Sequence, residues 1–233
     1  MTEPQLIEAI SDSFEKIVQE HQKKLLKEHS KLKNYQLNPI IIKYLSQLKE
    51  NKISADGIAK ALLYPRALGT SITGSFGAKF QKMLVELKVV KGSLIKGIDI
   101  EFIDKIDGKT KYCQLKAGPN TINSGDVAPI LSKFDKVVNL ARTNNYKDFS
   151  NNDLIVGVLY GNTSQLSAHY LKIDKRYPVI VGADFWYHIT GFPDIYKKFI
   201  AAIEEYVAKM PASTVFQEAL QKLTSEIKTS NIV

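Results

Sequence analysis

Gly97-Ile98-Asp99-Ile100-Glu101-Phe102 and, a short interval later, Tyr112-Cys113-Gln114-Leu115-Lys116-Ala117-Gly118-Pro119-Asn120 are the stretches whose reading decides the fold. Polar and apolar residues alternate in both. Asp99 and Glu101 stand between Ile98, Ile100 and Phe102, while Tyr112, Gln114 and Lys116 stand between Cys113, Leu115 and Ala117. A period of two belongs to a β-strand, whose successive side chains point to opposite faces. Asp107-Gly108 in the interval is turn chemistry, so the two segments read as a β-hairpin. Pairing through that turn puts Asp99 and Glu101 on one face with Gln114 and Lys116. A carboxylate, an amide and an ammonium then meet at one edge.

The pattern continues outward as α/β. Gly118-Pro119 ends the second strand, and Ser124 with Asp126 starts a helix carrying Val127, Ile130, Leu131, Phe134, Val137, Val138 and Leu140. The nearly continuous apolar run from Asp153 to Gly161 reads as a strand covered on both faces, and Tyr177 to Gly182 as another. A helix between two such strands is a parallel crossover. Residues 194–210 and 213–228 read as two closing helices.

Towards the N-terminus the period is helical. Thr2 and Gln5 form a capping box ahead of Leu6, Ile7, Ile10, Phe14, Ile17, Val18, Leu25 and Leu26. Asn38-Pro39 opens a second helix, Ser54 caps a third that Pro65 ends, and residues 69–77 are a loop or helix entry. Phe76, Phe80, Met83, Leu84 and Leu87 then share a helical face. The expected architecture is a central mixed β-sheet flanked by helices, with an N-terminal helical region over 1–70 and a core over 71–233 that carries the C-terminal helices, compact as one domain overall.

Composition sets bounds without choosing a function. Of 233 residues, 44% are hydrophobic and 24% charged, ordinary globular values. No apolar run reaches the about 20 residues that a membrane-spanning helix needs. The start, Met1-Thr2-Glu3-Pro4-Gln5, lacks a basic segment followed by an apolar one, so no signal peptide and a cytoplasmic location are expected. Cys113 is the only cysteine, which excludes an internal disulfide and a cysteine-rich zinc site. A net charge of +8 suits a polyanionic partner, because neutralising phosphates releases condensed counterions.

Phosphodiester hydrolysis calls for oxygen ligands to Mg²⁺, charge stabilisation of a pentacovalent transition state, and a group that positions water. Asp99 suits the main ligand, the Gln114 amide oxygen and the Leu115 backbone carbonyl suit further ones, and Lys116 suits the water and the scissile phosphate. The competing reading is a solvated strand face, which in α/β proteins often carries Asp, Glu, Gln and Lys with no function.

These two stretches resemble the P-D-(D/E)-X-K nuclease superfamily, and more narrowly a group of type II restriction endonucleases whose lysine strand runs into Lys-(Ala/Ser)-Gly-Pro-Asn. The similarity continues through Phe76-Gly77, Gly157-Val158-Leu159-Tyr160-Gly161 and the stretch Gly182 to Gly191, about residues 70 to 200. The resemblance implies a restriction-endonuclease-like core, with Asp99 as the acid and Lys116 as the lysine of the motif. Gln114 takes the Asp/Glu position, a departure from the pattern. Such enzymes often recruit an acid from the helix before the hairpin, where Gln81 aligns best and is again an amide. Glu101 and Glu86 are the carboxylates that could compensate, and Glu101 is favoured because it shares the face of Asp99.

What the resemblance implies for activity is a Mg²⁺-dependent homodimer cutting double-stranded DNA at a short, pseudo-palindromic site, an interrupted GC-rich palindrome, with a companion DNA methyltransferase in the same system. A repair or junction-resolving nuclease and a DNA-binding module without catalysis are the alternatives. Asn120, Thr121, Asn123 and Ser124, leading into a helix N-terminus, are candidates for DNA contact, although such residues are also ordinary capping and turn residues. Lys133 and Lys79 are candidates for backbone phosphates, with Lys136, Arg142, Lys82, Arg66 and Lys88 nearby in sequence. His188, Phe185 and Trp186 are expected to be packing residues, and His21, His29 and His169 show no metal-ligand spacing.

Overall fold

The computed structural model describes residues 1–210, 213–230 and 232, and the side chains of all of these except 70–75. The chain divides into two compact units, residues 1–11 with 77–205 and residues 12–76 with 206–233.

The first unit is built on a mixed sheet of five strands in spatial order β1-β2-β3-β4-β5. These are β1 (Lys91–Gly92), β2 (Ile100–Ile103), β3 (Thr110–Lys116), β4 (Leu154–Val158) and β5 (Val179–Val181). The expected hairpin is present: β2 and β3 pair antiparallel, with Ile100 opposite Cys113 and Glu101 opposite Tyr112. Gly108 holds φ +72°, which an L side chain resists, and the Asp107 carboxylate accepts the Lys109 N–H at 2.8 Å. The turn is anchored as well as formed. Asp104, 1% exposed, accepts the Ile106 N–H at 2.9 Å and meets His188 Nδ1 at 2.7 Å.

β3, β4 and β5 run parallel, with Gln114 opposite Val156, Lys116 opposite Val158, and Gly157 opposite Ile180. α5 (Ser124–Thr143) connects β3 to β4, and α6 (Ala168–Asp174) connects β4 to β5. Both helices pack on one sheet face, where Ile130, Phe134, Val137, Tyr170 and Ile173 form one core cluster with Val156, Val158 and Tyr177. Burying each such aliphatic or Phe side chain is worth about 1.5–3 kcal/mol. The opposite face receives α7 (Ala183–Thr190): the Phe102 and Phe185 rings meet edge to face at 6.2 Å. Gly157 makes that approach possible, since a Cβ there would overlap the Phe185 ring. Trp186, fully buried, packs on Phe80 of α4 (Ser71–Glu86) and Phe199 of α8 (Ile195–Lys209), and donates its indole N–H to the Leu159 carbonyl at 2.9 Å.

In the second unit, α2 (Pro39–Glu50), α3 (Ala55–Pro65) and α9 (Val215–Lys228) enclose a core of Leu25, Ile42, Ile58, Leu63, Leu223 and Ile227. Their caps follow the sequence signals: Asn38 Oδ1 accepts the N–H groups of Ile40 and Ile41, and Ser54 Oγ accepts that of Gly57 at 3.0 Å. α1 (Glu3–Lys24) starts at the expected Thr2–Gln5 capping pair.

The molecule is α/β with a mixed sheet flanked by helices, as the alternation and the crossover pattern imply. Some details differ. α4 begins at Ser71, earlier than its apolar stripe indicates, and β2 begins at Ile100, because the Ile98 N–H turns back to the Ile95 carbonyl. β1, α6 and α7 were not expected. The last helix, α9, packs against α3 through Ala219 and Leu223. No helix among the described residues is long and apolar enough to cross a membrane.

Candidate active site

Asp99 lies one residue before β2, where the regular ladder stops. Its N–H donates to the Cys113 carbonyl at 3.0 Å, and its carboxylate accepts the Leu115 N–H at 2.8 Å. The side chain thus replaces a backbone acceptor at the strand end and is fixed between Gln114 and Lys116. Gln81 of α4 reaches the same residue, donating to the Asp99 carbonyl at 3.4 Å. The helix position singled out for a missing acid therefore touches the Asp99 backbone, as an amide.

Gln114 is 2% exposed, unusual for a polar residue on a strand face. Its amide N–H donates to the Gly97 carbonyl, and its amide oxygen is buried with no partner among the described residues. A buried acceptor left alone costs about 1–3 kcal/mol. Gly97 holds φ +94°, and a Cβ there would stand 2.9 Å from Lys133 Cγ, so the Lys133 stem of α5 lies against the same segment.

Lys116 is partly buried and its ammonium has no ion-pair or hydrogen-bond partner among the described residues. Cys113, opposite Ile100 in register and next to Gln114 in β3, is fully buried, and burial pushes its thiol well above the ordinary range. Asp99 raises it further while Lys116 opposes. Both charges thus act on the same small volume.

The other carboxylates are engaged. Glu101 accepts the Ser93 hydroxyl at 2.5 Å, and exposed Glu86 pairs with Lys82 at 3.5 Å. Among the described residues, no group of three or more His, Cys, Asp and Glu is placed to hold a metal ion. Any cation here would rest on one carboxylate supplemented by amide and carbonyl oxygens.

Beyond Lys116 the candidates for DNA contact separate. Thr121 Oγ1 donates to the Gly118 carbonyl at 2.8 Å and lies 3.0 Å from the Tyr170 hydroxyl, so it holds the loop together. Asn123 caps α5, accepting the Gly125 N–H at 2.7 Å, while Asp126 accepts the Asn123 N–H at 2.8 Å. Asn120 and Ser124 are exposed, and their side chains have no partner among the described residues. Lys79 sits on α4, partly buried.

The sequence reading overlooked Lys111. It is 3% exposed and bonds to Asp107 at 2.6 Å and Asp153 at 3.1 Å. A signal existed, because Lys111 shares the strand parity of Cys113 and Leu115, the apolar side of β3 in sequence. Burial alone would lower its pKa, but the bonds to the two aspartates outweigh this and raise it.

A family model for the type II restriction endonuclease EcoO109I matches residues 5–210. The chain belongs to that family. The match takes in Asp99, Gln114, Lys116 and both parallel crossovers, and it identifies the chain with DNA-hydrolysing enzymes of the restriction type. No curated protein matches the chain.

Proposed function

We propose that the protein is a type II restriction endonuclease that hydrolyses duplex DNA at a short (pseudo)palindromic site in a Mg²⁺-dependent reaction centred on Asp99, Gln114 and Lys116. The observation that carries this reading is the buried amide oxygen of Gln114, which has no partner among the described residues, beside the segment fixed by the Asp99–Leu115 hydrogen bond. An acceptor of this kind needs a water or a cation.

The residues fit a hard cation. Mg²⁺ takes oxygen ligands and keeps several of its waters, so it can be held by few protein groups. Asp99, the Gln114 amide oxygen and the Leu115 carbonyl would hold it. When bound there, it would neutralise charge developing on the scissile phosphate and make a nearby water more acidic.

The chain's own groups supply the rest. Lys116 holds a non-bridging phosphate oxygen and orients the attacking water, its ammonium being committed to nothing else. Gln114 keeps Gly97 in place through its N–H. Glu101 is the second carboxylate on the Asp99 face, and the hydroxyl bond from Ser93 leaves its other oxygen for an outer-shell water. In this reading Asn120 and Ser124 contact DNA, and Lys133 and Lys79 hold backbone phosphates. Thr121 and Asn123 act on DNA through the loop and helix start that they hold. A homodimer on a two-fold site, and a companion methyltransferase that protects the host DNA, belong to the same reading.

The test is plasmid DNA incubated with the purified protein in Mg²⁺ and in EDTA, followed by sequencing of the fragment ends. Discrete fragments sharing one motif, only in Mg²⁺, are expected. Cutting that follows DNA structure and not sequence would replace this reading with a repair or junction nuclease. The amide at position 114 favours a second reading, DNA binding without cleavage, which a retarded band and intact plasmid in Mg²⁺ would establish.

A further inference from the structure

Tyr160 lies outside every role assigned so far. It follows β4 by two residues, and the Leu159 N–H donates to the Lys116 carbonyl at 2.9 Å, which carries the parallel alignment past the end of both strands. With Val158 opposite Lys116, that alignment sets Tyr160 abreast of Gly118, on the strand parity of Gln114 and Lys116. Side-chain packing agrees: the space where a Cβ of Gly118 would stand is filled by the Tyr160 ring and hydroxyl.

Three facts make this ring more than packing. It is 44% exposed although the hydroxyl end of its ring lies on Gly118, so solvent still reaches the side chain. Its phenol has no hydrogen-bond partner among the described residues, unlike Tyr170 beneath it, whose hydroxyl donates to the Gly118 carbonyl at 3.0 Å. Two residues before and after Gly118, Lys116 at the carboxyl end of β3 and Asn120 in the loop beyond it are two further donors with no partner among the described residues. Ligands in parallel sheets bind at that end of the strands.

We propose that Tyr160 is a substrate-contact residue whose phenol donates a hydrogen bond to a backbone phosphate oxygen of the DNA strand held at Lys116, and that Gly118 lacks a side chain so that the ring can lie there. The contact rests on the nuclease reading above. Being made to the backbone, it adds affinity without reading bases.

The test compares wild type with Tyr160→Phe, which keeps the ring on Gly118 and removes only the hydroxyl. Binding is measured by fluorescence anisotropy in Ca²⁺, with one duplex carrying the motif mapped from plasmid ends and one scrambled duplex. A hydrogen bond to a charged group is worth about 1.5–3 kcal/mol, so both duplexes should bind about ten- to a hundred-fold more weakly and by the same factor. The melting temperature of the free protein should not change, because the phenol has no hydrogen-bond partner among the described residues.

Unchanged affinity overturns the proposal. So does a loss confined to the mapped duplex, which would mean base reading, and so does a fall in melting temperature, which would mean an internal bond. If wild type neither cuts plasmid nor binds either duplex, the nuclease reading fails before the variant is made. If wild type cuts and Tyr160→Phe binds fully, only the role of the phenol fails.

Discussion

Gln114 donates its amide N–H to the carbonyl of Gly97, a residue at φ +94°, and keeps its amide oxygen buried without a partner among the described residues. The side chain therefore has two tasks, a donor that fixes the approach to β2 and an acceptor open to an ion. A carboxylate could perform only the second.

Gln114→Glu separates these tasks. From the strand pattern alone the substitution should be tolerated and should tighten metal binding. The bond to Gly97 adds a cost: the glutamate cannot donate, and a buried carbonyl loses its partner for about 1–3 kcal/mol. The variant should melt below wild type in EDTA and gain more from added Mg²⁺, since an ion that binds only the folded state stabilises it. Thermal unfolding across a Mg²⁺ series checks this; equal responses in both proteins would remove the ion from Gln114.

Asp99 has a structural role beside its chemical one, because it accepts the Leu115 N–H at 2.8 Å. Asp99→Ala should abolish cleavage, leave DNA binding largely intact, and cost about 1–3 kcal/mol of stability. Asp99→Asn keeps an acceptor oxygen, so it should lose cleavage with little loss of stability. Lys116→Ala, at a side chain with no partner among the described residues, should lose cleavage alone. Plasmid cleavage, gel retardation and urea unfolding of the three variants decide it, and full cleavage by any of them would sink the assignment.

Asp104 connects the hairpin turn to α7 through Ile106 N–H and His188 Nδ1. Asp104→Ala should destabilise the protein by about 2–5 kcal/mol, the range for removing a buried acceptor with two partners. His188→Phe leaves the Ile106 bond in place and should cost less. Urea midpoints that fall equally in the two variants would contradict this division.

The Lys111 cluster predicts an acid response. Burial would raise the Asp107 carboxyl, but its bonds to Lys111 and the Lys109 N–H outweigh this and hold it below its ordinary 3.8. A depressed carboxylate contributes stability above its unfolded pKa and loses it as pH falls through the folded one. Lys111, raised above 10.5, contributes fully below that value and loses its share only as pH rises through the folded one, so it is constant near neutrality. Below about pH 3.8, wild type should therefore lose stability more steeply than Lys111→Met. Parallel urea curves for the two proteins over that range would exclude the linkage. Asp107 is substantially exposed, so solvent screening keeps its part small.

Much of this molecule is legible in the chain because its signals are local. Asn38-Pro39, Ser54 and Thr2 with Gln5 bond to backbone within three residues, and the Asp107-Gly108 turn closes on itself. The strand alternation around Asp99 and Lys116 likewise needs only neighbours. What was missed depends on distant partners. α7 reads as an aromatic-rich stretch until Gly157 admits Phe185, and Lys111 looks like a surface lysine until Asp153, far along the chain, arrives beside it. The capping and loop duties of Asn123 and Thr121 were visible as an alternative, and the structure adds Tyr170 as the second holder of Gly118. The burial of Gln114 had no signal in sequence, since an amide on a strand face is ordinarily solvated.

Trp186 is the chain's single tryptophan, and its buried indole is tied to the carbonyl of Leu159, the residue before Tyr160. Every photon of tryptophan emission from this protein therefore originates one peptide unit from the end of β4. The fold carries an intrinsic optical reporter one residue from Tyr160, and the DNA and Mg²⁺ binding proposed above can be sought in its emission without any added dye.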